Sequence, residues 1–335
     1  MNARRAAAIL EVLGVYILGQ YAVTLFVSTF HLQIDNPLVH IHAQISDAGL
    51  LFAARDLFFL FLMQYAGWFL LVIPINWWNR RSGPPAYGLT RAGKSWTVLL
   101  AAGVATAALA AWPAMSVQLL DTLYGLGPAV PWRQAFFEMS WRRWEFWLFS
   151  AVLSWAFVAF MEELFFRGYC QRRLAEDWGD GPAIIGTACL FTFAHGQYLI
   201  SNLYNAVSLA SLFVLALGLG LVFAWTRSLV PSVLAHAVIN FPMTPRWQVA
   251  TLLVFIVIAA ITARRVPPVV RQVFSRASAI ACISLAVVGA GYAIAAQQMQ
   301  AFVYVAAGML GLALGLEAMH RGRDAAGEST SISLD

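Results

Sequence analysis

Apolar runs of about 20 residues recur along this chain, broken only by short basic clusters, and that alternation constrains the fold more than any single motif. A helix needs about that length to cross the hydrocarbon core of a bilayer. The reading is an all-α protein, a polytopic transmembrane helical bundle of about eight to ten spans. Composition agrees: 61% of the 335 residues are hydrophobic and 11% are charged, where a soluble domain carries roughly 25% charged residues. Soluble proteins of this length make about two domains; in a membrane the same length makes one bundle.

Ten segments meet the length rule: 6–29, 49–75, 96–119, 145–168, 183–200, 206–226, 230–243, 247–263, 278–297 and 299–319. An even number of spans puts both ends on one side. With that side in the cytoplasm, only Arg55, Arg133, Arg142, Arg143 and Arg246 of the 21 basic residues fall outside. The bias predicts an N-in/C-in arrangement. The net charge of +5 is therefore a topological signal, and no nucleic-acid partner is expected. The expected surroundings are a lipid bilayer, and no cleavable signal peptide is read at the N-terminus, because the first apolar run is long enough to span. The Ala- and Arg-rich composition suggests a bacterial inner (cell) membrane.

Several features are given their plainer reading. Cys170, Cys189 and Cys282 have no zinc or redox spacing. His31, Asp35, His40, His42 and Asp47 are read as a solvated loop rather than a metal site. Ser140–Trp147, rich in Trp and Arg, reads as an interfacial anchor. Gly311 and Gly315 read as a close helix contact, and residues 324–335 as a disordered tail.

Charge inside an apolar segment is costly and marks function by default. Met161-Glu162-Glu163-Leu164-Phe165-Phe166-Arg167-Gly168 ends the fourth run with two carboxylates and a guanidinium. Glu163 and Arg167, four apart and acid first, are spaced to pair on one helix face. Glu162 is turned about 100° away, so the two carboxylates are expected to play different parts. His195 lies in the fifth run, and His236 and Asn240 in the seventh, one turn apart on one face. At about 1.5 Å per residue, Glu162 is expected near the cytoplasmic end of its helix, His236 roughly 9 Å in and His195 near 18 Å in. The fourth and fifth helices would have to end or start later than drawn for these to meet.

A carboxylate, two imidazoles and an amide in an apolar chamber suit hydrolysis of an acyl bond. The carboxylate serves as general base on a water, and imidazole and amide N–H groups donate to the developing oxyanion. The same groups admit a metal alternative, with Glu162, His195 and His236 holding zinc and a water.

Glu162-Glu163-x-x-x-Arg167, Phe191-x-x-x-His195 and His236-x-x-x-Asn240, with Phe-Phe-Arg-Gly after the glutamates and Ser228-Leu-Val-Pro-Ser before the second histidine, resemble the CPBP family of intramembrane proteases. That family includes the type II CaaX prenyl endopeptidases and Abi-like relatives. The resemblance implies an intramembrane endopeptidase, a chamber open to the cytoplasm, and a membrane-associated protein or peptide substrate. It implies that Glu162 and His195 activate water, that His236 and Asn240 form the oxyanion site, and that Glu163 and Arg167 support them. No cofactor is expected, because asparagine is a poor zinc ligand and a good oxyanion donor; zinc dependence and a non-catalytic scaffold or immunity protein are the alternatives. The resemblance divides the chain into N-terminal helices with an interfacial segment (1–145), a core (146–243), C-terminal helices (247–320) and the tail (324–335).

Overall fold

The structure, a computed structural model, describes residues 3–29, 47–79, 83–126, 151–195 and 203–240, with isolated positions between and beyond them. Among the described residues the secondary structure is helical, without strands. The expected spans beyond 247, the histidine loop, Cys282, the Gly311/Gly315 pair and most of the Trp-rich anchor lie outside the described residues.

Helix α1 is Ala3–Thr29 and α2 is Asp47–Trp78. A short 3₁₀ turn at Pro84–Tyr87 leads to α3, Trp96–Tyr124. Helix α3 is bounded by local chemistry: Ser95 accepts from the Val98 N–H at 3.3 Å, and Gly125 takes the left-handed conformation that ends the helix. Helix α4 is one rod of four stretches. Wide π-type turns run over Ala151–Val158, α-helix over Ala159–Glu163, π-type turns over Leu164–Gln171, and α-helix over Arg172–Trp178. Helices α5 (Asp180–Ala194), α6 (Leu203–Thr226) and α7 (Leu229–Ile239) follow.

Helix α4 is the axis. Its last stretch packs on α1 and α5, its middle on α5, and its Ala159–Glu163 turn on α7. Helices α3, α6 and α7 pack together, and α1 packs on α2. The main core is aromatic: Trp68 stacks on Phe165 with centroids 4.0 Å apart, and Tyr16 stacks on Trp68 at 5.9 Å. Gly19 lets Trp68 close, since a Cβ there would sit 2.3 Å from the indole. Gly168 does the same for α4, where a Cβ would lie 2.8 Å from the Tyr87 carbonyl oxygen. The Phe-Phe-Arg-Gly run is thus accounted for by position: Phe165 and Phe166 fill the core, and Gly168 admits the Pro84–Tyr87 turn.

One end of the bundle is charged. Arg173 meets Glu11 at 2.8 Å and Asp177 at 2.6 Å, Arg81 meets Glu176 at 2.8 Å, and Arg227 grips Asp180 with two bonds of 2.9 and 2.6 Å. Arg5 lies 5.5 Å over the Trp178 ring. These four arginines lie at one end of the bundle.

Among the described residues two helical stretches are long and apolar enough to cross a bilayer by length and composition, Phe58–Trp78 and Val207–Thr226. Only 22% of the apolar window in the first is buried against the protein, and Leu70, Ile73, Trp77 and Trp78 stand well exposed. A soluble core helix buries such a face, so an outward apolar surface here fits a lipid environment. Trp96–Ala108, Asp180–Ala194 and Leu229–Ile239 are shorter apolar stretches.

The fourth and fifth helices differ from expectation in ways that bear on the site. The fourth helix continues ten residues beyond 168, to Trp178, because Leu174 and Trp178 bury against its neighbours and Arg173 finds acidic partners. The fifth helix starts at Asp180 rather than 183 and stops at Ala194 rather than 200. Gly179, with φ 79°, makes the break between them.

Candidate active site

The longer α4 moves the carboxylates away from the charged end. Glu162 stands ten residues before Arg172, at most about 15 Å along the rod, so it is not near a helix end as expected. His236 is seven residues into α7, and Arg167 lies opposite Ala216, ten residues before the end of α6.

Four of the expected residues meet in one buried cluster. The Arg167 guanidinium donates to Glu163 Oε1 at 2.9 Å and to the Ala216 carbonyl at 3.1 Å, and its carbon lies 4.7 Å over the Phe191 ring. Glu163 and Arg167 side chains are both fully buried. His236 Nδ1 is 2.8 Å from the same Glu163 oxygen. A carboxylate only accepts, so Nδ1 carries the proton in that bond. His236 Nε2 is then turned toward Glu162, 3.8 Å from Oε2. Glu163 thus bonds both Arg167 and His236, whereas Glu162 approaches only His236, beyond hydrogen-bond distance.

Glu162 Oε1 accepts from the Tyr65 hydroxyl at 3.1 Å. Glu162 Oε2, Glu163 Oε2 and Arg167 Nε are buried polar atoms without a hydrogen-bond partner. Leaving such atoms bare costs about 1–3 kcal/mol each, more when charged. Three in one cluster mark a place where a polar molecule is wanted.

His195 and Asn240 stand at the edge. His195 follows the last turn of α5, with Nδ1 2.8 Å from the Phe191 carbonyl and its ring 4.7 Å from the Phe191 ring. Phe191 also meets His236 edge-on at 5.7 Å, so it connects the two imidazoles. Asn240 caps α7, and its amide donates to the Ser154 carbonyl at 3.1 Å. The expected common face of His236 and Asn240 is therefore turned to α4. Serine 228 starts that helix by accepting from the Val230 N–H at 3.3 Å, and Pro231 sits in its first turn as expected.

Tyr65 was not foreseen. It lies in α2, 97 residues before its partner, in an apolar run where a tyrosine reads as core. Its hydroxyl among the Phe and Leu of 57–62 was the available signal.

Among the described residues no three His, Cys, Asp or Glu side chains are placed to hold one metal ion.

No curated protein and no solved structure matches the chain. Residues 143–242 match the family model for type II CAAX prenyl endopeptidase Rce1-like proteins. The matched segment contains every member of the cluster except Tyr65. Over residues 143–242 the chain is therefore similar to the type II CAAX prenyl endopeptidase Rce1-like family, a family of integral-membrane proteases.

Proposed function

We propose that the protein is an intramembrane endopeptidase that hydrolyses a peptide bond of a membrane-associated protein or peptide, with Glu162 as general base. The observation that carries this reading is Glu162 itself: one oxygen pinned by Tyr65, the other buried, bare and facing His236 Nε2 at 3.8 Å. A water between these atoms would satisfy both. Glu162 takes the proton of that water as its oxygen attacks the scissile carbonyl, and returns the proton to the leaving amine. His195, its ring fixed by the Phe191 carbonyl, orients the water. His236 donates to the oxyanion in the form protonated on both ring nitrogens, with Nδ1–H kept on Glu163 and Nε2–H turned to the site, and Asn240 donates the second amide proton beyond the one given to Ser154. One such donor is worth about 2.7–4 kcal/mol of barrier. Glu163 and Arg167 hold the His236 ring in place and supply the local charge balance.

The charged end with Arg5, Arg81, Arg173 and Arg227 supports a cytoplasmic location for that end by the positive-inside rule, and the proposed substrate reaches the site from there. A bacterial cell membrane is the proposed location. The family's printed name directs the first assay to a prenylated peptide ending in a CaaX sequence. Purified protein in phospholipid vesicles is expected to cleave a farnesylated CaaX peptide, read by mass spectrometry, at the same rate with and without a chelator. Activity lost on chelation and restored by stoichiometric zinc would overturn the metal-free mechanism.

A further inference from the structure

We infer that Tyr65, outside the segment that matches the family model, is a positioning residue for the general base. The inference rests on the assignment of Glu162 as that base. Tyr65 is 1% exposed. Its ring is clasped on three sides: stacked on Phe61 at 6.0 Å, tilted against Trp68 at 5.7 Å, and edge-on to Phe157 at 5.5 Å. A ring so held presents its hydroxyl from a fixed point. The hydroxyl donates to Glu162 Oε1, because an ionised carboxylate has no proton to give.

Helix α4 offers Tyr65 two contacts. Phe157 lies in the last part of the wide-turned stretch and Glu162 in the α-helical turn that follows it, and both reach Tyr65.

The consequence is directional. A glutamate has three rotatable side-chain bonds, and without an anchor its two oxygens exchange places. With Oε1 held by Tyr65, Oε2 is the oxygen left toward His236 Nε2, and it is the one without a partner. Tyr65 decides which oxygen meets the water. The N-terminal helices therefore complete the site as well as surrounding it.

The test compares Tyr65→Phe, Glu162→Gln and the double variant in vesicles. Tyr65→Phe keeps the ring and removes only the hydroxyl, and is expected to stay folded with a small fall in unfolding temperature, since it frees one buried Glu162 oxygen. The infrared carboxylate band isolated by subtracting Glu162→Gln from wild type is expected to shift when the same subtraction is made in the Tyr65→Phe background. With the farnesylated CaaX peptide, kcat is expected to fall about 10- to 100-fold, the loss for a hydrogen bond to a charged group, with KM within about twofold. Tyr65→Leu should lose both stability and kcat. An unshifted band, or an unchanged kcat in Tyr65→Phe beside an inactive Glu162→Gln, overturns the inference. An active Glu162→Gln overturns the general-base assignment instead.

Discussion

Helix α4 carries two arginine–carboxylate pairs at the same sequence interval, ten residues apart, and they are built for different purposes. Glu163–Arg167 is wholly buried, at 2.9 Å. Arg173–Asp177 is tighter, at 2.6 Å, with its aspartate 20% exposed. The outer pair belongs to a network: Arg173 also binds Glu11, and Glu11 accepts from Tyr169 and Arg81 at 3.3 Å each. The inner pair shares its one bonded carboxylate oxygen with His236 and leaves Glu163 Oε2 and Arg167 Nε bare. Burying charge while leaving atoms unsatisfied costs free energy, and under the proposed function the inner pair holds His236 for the reaction.

The largest expected effect comes from breaking the inner pair. Arg167→Met strands Glu163 in the core, and removing one partner of a buried pair costs about 3–5 kcal/mol. Unfolding in mild detergent should show a steep loss of stability and of membrane yield. A variant as stable as wild type would mean the pair is hydrated and the contrast with the outer pair is false. The smallest effect comes from the outer pair. Asp177→Asn leaves Arg173 on Glu11 and Glu176, and a partly exposed ion pair is worth about 0–1 kcal/mol. The same unfolding assay should barely separate it from wild type, with peptide cleavage unchanged. A loss matching that of Arg167→Met would show that the charged end, and not the cluster, holds the bundle together.

The inner pair was legible in the sequence because an i,i+4 interval on a helix is a local rule, and so was the face shared by His236 and Asn240, which reach Glu163 and Ser154 on α4. The helical class followed from run length and composition. What escaped was non-local or depended on backbone detail. Trp178, a residue with good reasons to be interfacial, ends α4 in the core, so the helix was drawn too short and Glu162 too near its end. Hydrophobic patterning carries no sign of i→i+5 turns, and these run over Ala151–Val158 and Leu164–Gln171, on either side of the two glutamates. Tyr65 meets Glu162 only through tertiary packing of α2. His195 was placed inside a span, whereas Gly179 starts α5 early enough that the histidine falls just past its last turn.

The central claim is that two adjacent glutamates differ in role, with Glu162 handling the proton and Glu163 holding His236. Purified Glu162→Gln keeps the shape of the side chain and its contact with Tyr65. In vesicles with the farnesylated CaaX peptide it is expected to keep the wild-type unfolding temperature and to lose cleavage by at least about 100-fold, the lower range for general-base catalysis. Cleavage by folded Glu162→Gln at the wild-type rate would contradict the account.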